Sequence, residues 1–130
     1  SEALKEIKVS ADNMNYHSYD GVLYDKDCTT LITCPKGKDS VTIIDGVSCI
    51  AARAFRSCKK LISVELPVSV AEIRGSAFKG CTALTTITIP SGVGEIGESA
   101  FENCSSVVVF YLPENITSFS SIVTSPPFKS

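Results

Sequence analysis

The sequence lacks the long apolar run that a membrane-spanning helix requires. No stretch of about 18 residues is apolar enough to cross a bilayer, although hydrophobic residues make up 44% of the 130-residue chain. The N-terminus, Ser1-Glu2-Ala3, has neither an initiator methionine nor the basic start and apolar core of a signal peptide. We therefore expect no membrane insertion, and we interpret the chain as a mature product or a cut fragment.

An excess of positive charge is also missing. Lysine and arginine number 12 against 14 aspartates and glutamates, which gives a formal net charge of -2. Nucleic-acid binding needs a basic face that displaces counterions from phosphates, so the composition argues against that class of protein. The length suffices for one domain with its own core, and we expect a single domain over residues 1–130 that is monomeric.

The common catalytic and metal-binding motifs are absent. The chain has no Walker loop, dinucleotide-binding glycine motif or Gly-x-Ser-x-Gly elbow. Asp20, Asp25 and Asp27 do not form a calcium-binding loop and are interpreted as part of a polar turn. No Cys-x-x-Cys pair exists, which argues against structural zinc, and the single histidine, His17, is predicted in a solvated loop. We expect no enzyme activity, no cofactor and no metal.

What the sequence does contain is a 23-residue repeat. Residues 45–67, 68–90 and 91–113 align without a gap. Because a coil of this length cannot bury its own apolar side, stacked neighbouring coils must supply the core of a solenoid. The matching positions include Ala54-Phe55, Ala77-Phe78 and Ala100-Phe101, then Cys58, Cys81 and Cys104, and finally Pro67, Pro90 and Pro113.

Each repeat predicts three local structures. The triplet before the proline, such as Ile87-Thr88-Ile89, alternates with period two and predicts a strand with one buried face. The Val-x-x-Ile segment predicts a second inward-pointing edge, and Ala-Phe-x-x-Cys predicts a short helical turn. Stacked coils place the triplets side by side, about 4.8 Å apart, in a parallel sheet. The predicted sheet strands lie near residues 7–9, 41–43, 64–66, 87–89 and 110–112.

The flanks of the regular repeats 41–113 predict two irregular parts. Residues 1–40 form an N-terminal coil with a hairpin insertion, whose strands lie at 21–24 and 30–33. Residues 114–130 lose the repeat pattern and are interpreted either as a cap or as a frayed junction to further repeats. Some covering is expected, because an open coil exposes apolar core and strand edge.

The phrase Ala-Phe-x-x-Cys-x-x-Leu-x-x-Ile-x-Ile-Pro at residues 77–90 resembles the BspA-type (Treponema pallidum-type) leucine-rich repeat. Residues 20–27 also resemble a hairpin insertion common in that family, whereas Ile44 departs from its proline. The resemblance implies an α/β-class, right-handed solenoid with a parallel sheet on its concave face. It further implies an extracellular or cell-surface location and a role in adhesion, with no shared catalytic residues.

The repeating cysteines Cys58, Cys81 and Cys104 are predicted to be buried free thiols. Stacked coils hold their Cβ atoms parallel and about 4.8 Å apart, whereas a disulfide needs convergent Cβ atoms about 3.8 Å apart. Buried thiols of this kind act as small apolar residues. A Cys28–Cys34 bridge stays open as an alternative.

The outward face of the predicted sheet is the candidate binding surface, since concave solenoid faces often bind other proteins. A rival surface is the hairpin segment that carries Tyr16, His17, Tyr19 and Tyr24. The candidate protein-binding residues on the concave face are Lys8, Thr42, Glu65, Thr88, Val109 and Tyr111.

These observations favour a non-catalytic protein-binding module of a secreted or cell-surface protein, with adhesion to host or microbial surface molecules as its expected role. Two alternatives remain. One is a structural spacer in a longer repeat array, and the other is a substrate-docking repeat of a larger enzyme.

Overall fold

The computed structural model describes residues 3–116, which form strands and turns stacked as the coils of a solenoid. No helix that could span a membrane occurs in this part of the chain. Each regular repeat contributes two strands, and the N-terminal region contributes the others. The strands are β1 (Tyr16–Tyr19), β2 (Val22–Asp25), β3 (Thr30–Thr33), β4 (Ser40–Thr42), β5 (Cys49–Ile50), β6 (Ser63–Glu65), β7 (Glu72–Ile73), β8 (Thr86–Thr88), β9 (Glu95–Ile96) and β10 (Val109–Tyr111).

Four parallel strands in two pairs form one side of the solenoid. Strand β4 pairs with β6, with Val41 opposite Val64, and β8 pairs with β10, with Ile87 opposite Phe110. The four strands predicted from the triplets exist, and each begins one residue earlier than expected. Strands β6 and β8 are neighbours but are not hydrogen-bonded into one sheet. The parallel sheet is therefore interrupted at its centre.

The prediction of a sheet strand at residues 7–9 was wrong, because the structure has no strand there. Ile7 donates its backbone N–H to the Gly21 carbonyl oxygen at 2.8 Å, and Val9 donates to Ser18 Oγ at 2.9 Å. These acceptors on the hairpin satisfy the segment's N–H groups, so it lies along the hairpin and does not pair with β4. The spacing of apolar residues resembled a strand, but spacing does not identify the hydrogen-bonding partner.

The second side of the solenoid is a six-stranded sheet in the order β1-β2-β3-β5-β7-β9. The Val-x-x-Ile segments form its parallel strands β5, β7 and β9, which confirms the predicted second edge. The hairpin insertion continues this sheet, because β3 pairs parallel with β5 and antiparallel with β2. We call β1, β2 and β3 the N-terminal cap, since they cover the exposed edge of the first regular coil.

The Ala-Phe-x-x-Cys segments are not helical turns, and that prediction was wrong. The first two phenylalanine N–H groups bond to the next coil: Phe55 donates to the Ala77 carbonyl oxygen at 2.6 Å, and Phe78 donates to that of Ala100 at 2.7 Å. The residue before each segment and one residue within it take the left-handed backbone conformation, which ends a right-handed helix. In the three coils these residues are Arg53 and Ser57, Ser76 and Gly80, and Ser99 and Asn103.

The core consists of identical residues stacked from coil to coil. The rings of Phe55 and Phe78 are parallel at a centroid distance of 4.7 Å, and those of Phe78 and Phe101 at 5.0 Å. Phe110 then meets Phe101 edge-on at 5.0 Å. The repeated Ala, Cys and Leu or Val positions are buried around this stack. The repeat thus fills one continuous core, as its pattern predicted.

Residues 117–130 lie outside the described part of the chain, and with them most of the predicted cap or tail at 114–130. Within the described part, the Asn115 side-chain amide donates to the Val93 carbonyl oxygen at 2.6 Å. The turn after β10 is therefore bound to the preceding coil.

Candidate binding surface

The four parallel strands present two rows of exposed side chains, because alternation in a strand turns every second residue outward. One row places Thr42 beside Glu65 and Thr88 beside Tyr111. In the other row Val109 lies beside Thr86, and in each strand the central residue faces the core. The structure thus brings five of the six predicted binding residues onto one surface, which we call the sheet face.

A groove of about 480 Å³ crosses the sheet face where β6 and β8 fail to pair. It contains the predicted residues Glu65 and Thr88. Half-buried Val64 and Leu66 give it an apolar floor, and hydroxyl and carboxylate groups line its sides. The lining residues are Ser63, Val64, Glu65, Leu66, Val68, Thr86, Thr88 and Pro90.

Exposed apolar side chains lie beside the groove. Val68 borders it with 89% of its surface exposed, and β10 contributes Val109 and Tyr111, exposed to 54% and 60%. Val68 was not predicted as a binding residue, although the sequence distinguishes it. The equivalent positions in the next two coils are polar, Ser91 and Glu114. An apolar residue where other repeats are polar marks a departure that packing does not explain.

Lys8 does not lie on the sheet face, so its assignment to that surface was wrong. It sits in the segment bound to the hairpin, where its ammonium lies 3.8 Å from the Glu6 carboxylate. Both residues line a separate polar recess of about 340 Å³ together with Asp20 and Lys38, which form an ion pair at 3.2 Å. Two ion pairs, Lys8–Glu6 and Lys38–Asp20, therefore line this recess.

The rival surface on the hairpin keeps only part of its predicted residues. Tyr16, His17 and Tyr19 are exposed on β1, so His17 lies on a strand and not in the predicted loop. Tyr24 is fully buried, and its hydroxyl accepts the Ile44 backbone N–H at 3.3 Å. Burial raises the pKa of Tyr24 despite that bond. Tyr24 therefore belongs to the core and not to a binding surface.

Asp25 holds a turn, as expected for the aspartates of the hairpin. Its carboxylate accepts the backbone N–H of Thr29 at 2.8 Å and of Thr30 at 3.1 Å, and also the Thr29 hydroxyl at 2.8 Å. Although partial burial opposes ionisation, these bonds hold the pKa of Asp25 below its ordinary value. Its oxygens are occupied by the turn that joins β2 to β3.

The cysteines are all free thiols, which confirms the prediction for the repeated positions. Cys81 donates its S–H to the Phe55 carbonyl oxygen at 3.1 Å, and Cys104 donates to that of Phe78 at 3.1 Å. Burial raises the pKa of Cys81, and it raises the pKa of Cys104 to about 12. Cys28 and Cys34 are not bridged.

Stacked coils of one repeat length, with a parallel strand per coil on one side and a turn ladder carrying phenylalanine and cysteine, define the leucine-rich-repeat class of solenoid. The sequence model of the BspA type leucine-rich repeat region, which describes six copies, matches residues 34–125. The chain belongs to this family. Its members are repeat proteins that generally serve in protein interaction and are generally non-catalytic.

Solved structures of bacterial leucine-rich-repeat proteins share the fold. A protein from Eubacterium ventriosum is 31% identical, with a TM-score of 0.79 over 85% of this chain and 30% of its own. The Treponema pallidum leucine-rich-repeat protein is 25% identical, with a TM-score of 0.56 over 85% of this chain and 63% of its own. The pneumococcal vaccine antigen PcpA, 21% identical, has a TM-score of 0.70 over 97% of this chain and 40% of its own.

The chain spans less than two thirds of the length of each of these proteins. No curated protein sequence matches it.

Proposed function

We propose that this chain is a non-catalytic protein-binding module of a secreted or cell-surface protein, and that its sheet face contacts the ligand. The observation that carries the proposal is the groove between β6 and β8, which exposed Val68 borders, with exposed Val109 and Tyr111 on the next strand beside Thr86 and Thr88. Family membership supports a role in protein interaction. Adhesion to host or microbial surface molecules is the biological role that we propose for such binding.

In the unbound state, water contacts the apolar side chains beside the groove. A partner that covers them lowers the free energy by roughly 25 cal/mol for each Å² of apolar surface buried. Tyrosine is enriched among the residues that dominate binding energy, and Tyr111 is exposed beside Thr88, which lines the groove. Serine, threonine and Glu65 supply hydrogen-bonding groups around the apolar floor, as in the polar rims of known interfaces.

A binding screen against extracellular proteins tests the proposal. The immobilised chain is presented to an array of host matrix and microbial surface proteins, and each hit is measured by surface plasmon resonance. The Tyr111→Ala and Val68→Ser variants are expected to weaken binding at least about tenfold each. The matched control is Tyr16→Ala, which removes an exposed tyrosine from the hairpin.

Each outcome decides between surfaces or functions. Loss of affinity in the sheet-face variants, with normal binding by Tyr16→Ala, supports the proposal. The reverse pattern transfers the site to the hairpin and overturns the assignment. A folded chain that binds nothing favours the spacer function within a longer array, because the relatives are longer than this chain.

A further inference from the structure

One pair of cysteines departs from the regular ladder. The repeated thiols follow a 23-residue period, and one period before Cys58 stands Pro35, with Cys34 beside it. Cys34 follows directly on β3, and its backbone N–H donates to the Ala54 carbonyl oxygen at 2.8 Å. Because Cys34 is out of register, the parallel Cβ geometry that keeps the ladder cysteines apart does not constrain this pair.

The Sγ atoms of Cys34 and Cys58 both lie near the Pro35 carbonyl oxygen. Cys34 Sγ lies 3.4 Å from the Pro35 carbonyl oxygen, and Cys58 Sγ lies 4.0 Å from the same oxygen. Cys58 Sγ also lies 3.7 Å from the Cys34 carbonyl oxygen. Cys81 and Cys104, in contrast, each donate to the carbonyl oxygen of a phenylalanine in the preceding coil.

The surroundings of the pair favour ionisation of one thiol. The adjoining Cys34 thiol lowers the pKa of Cys58 against the effect of burial, and the nearby Lys36 ammonium lowers it further. The Cys58 thiol, together with burial, raises the pKa of Cys34. A cysteine with a lowered pKa beside a second thiol and a cation is the arrangement of reactive cysteine pairs.

We propose that Cys34 and Cys58 form an oxidation site, at which hydrogen peroxide produces a disulfide that links the N-terminal cap to the first regular coil. Both side chains are buried, so the oxidant must be small. Lys36, two residues after Cys34, is exposed. The other two ladder cysteines, Cys81 and Cys104, stay reduced.

The reaction balances in two steps. The Cys58 thiolate attacks one oxygen of hydrogen peroxide, the O–O bond breaks, and the departing hydroxide takes up a proton to give water and the sulfenic acid. The Cys34 sulfur then attacks the Cys58 sulfur, the S–O bond breaks, and hydroxide leaves as water with the Cys34 proton. The two thiols supply two electrons, and one peroxide becomes two waters.

The test treats the folded, fully reduced chain with hydrogen peroxide in a Cys28→Ser background, which removes the partly exposed thiol. The six free thiols of the native chain become five in this background, and oxidation is expected to leave three. Peptide mapping by mass spectrometry should join the peptide that carries Cys34 to the peptide that carries Cys58. The unfolding midpoint should rise by about 10 °C and return on reduction.

The variants distinguish this pair from the ladder. Cys34→Ser should abolish the crosslink and the rise in midpoint, whereas Cys81→Ala, which alters a ladder thiol, should leave both. A crosslink between Cys58 and Cys81 would overturn the proposal. So would native thiols that resist a peroxide dose at which the unfolded chain forms disulfides. Mapping of the parent chain answers the question even if a variant folds poorly.

Discussion

At the residue scale, stability rests on side chains that repeat from coil to coil. Phe78 touches a ring on each side, so it belongs to two coil–coil interfaces at once. Offset-stacked rings contribute beyond the area that they bury. The central phenylalanine is therefore expected to matter more than a residue at either end of the stack.

The Phe78→Ala variant should lose roughly 3–5 kcal/mol of unfolding free energy, because it leaves a cavity between two coils. Phe78→Leu, which keeps most of the volume, should lose roughly 1–2 kcal/mol. Urea unfolding followed by circular dichroism measures both values. A loss below about 1 kcal/mol for Phe78→Ala would show that the neighbouring coils close the cavity.

The buried thiols predict a loss of stability at alkaline pH. Burial raises the pKa of Cys104 from the ordinary 9.0 to about 12, so the folded chain retains a proton that the unfolded chain releases. This stability is fully present below pH 9 and is lost as the pH rises toward 12. Urea midpoints measured under reducing conditions should therefore fall above about pH 9.

The matched control for this pH dependence is Cys104→Ala, which removes the titrating thiol but keeps a small apolar side chain. Its urea midpoint should decline less steeply over the same range. Equal slopes for the variant and the parent chain would assign the pH dependence to other groups, such as buried Tyr24, whose pKa is also raised.

At the scale of the elements, close approach of coil backbones limits which residues fit. A Cβ added to Gly97 would lie 2.4 Å from the backbone nitrogen of Gly75 and 2.7 Å from the Arg74 carbonyl carbon. Neither atom can move without shifting the coil. A Cβ added to Gly94, three residues earlier, would meet no atom within 4 Å.

Gly97→Ala is therefore expected to destabilise the chain by roughly 1–3 kcal/mol, because overpacking shifts the backbone between β7 and β9. Gly94→Ala should be neutral or slightly stabilising, since alanine reduces the freedom of the unfolded chain. Thermal unfolding of the two variants side by side measures the difference. Similar midpoints would show that the coils can separate locally.

At the scale of the whole molecule, a solenoid is held by contacts between successive coils, so a local defect should remain local. The N-terminal cap meets the regular coils through β3 and β5, where Leu31 lies opposite Ile50. Ala51 donates its N–H to the Leu31 carbonyl oxygen at 3.0 Å. Damage to the cap should therefore reach the first coil before the later ones.

The Leu31→Ala variant should weaken the cap by roughly 2–4 kcal/mol. Amide hydrogen exchange measured by mass spectrometry should speed up about tenfold or more at Ala51. It should change far less at Gly97, which lies two coils further along the chain and donates its N–H to the Ile73 carbonyl oxygen. An equal increase at both amides would contradict the local picture and would indicate that the chain unfolds as one unit.

The sequence by itself determined the repeat length, the buried positions of the repeats and the strands of the three regular coils. A 23-residue period with apolar residues in fixed places leaves stacking as the way to bury them. The same reasoning identified Thr42, Glu65, Thr88, Val109 and Tyr111 as outward-facing, because alternation within a strand is a local property.

Tertiary structure alone decided the features that depend on hydrogen-bonding partners in other coils. The Ala-Phe-x-x-Cys segment has local helical spacing, but the N–H groups of Phe55 and Phe78 find acceptors on the next coil, and left-handed residues before and within each segment interrupt a helix. Residues 7–9 likewise bond to the hairpin, which removes Lys8 from the sheet face. The groove between β6 and β8 and the meeting of Cys34 with Cys58 arise from how neighbouring coils fit, which no local pattern encodes.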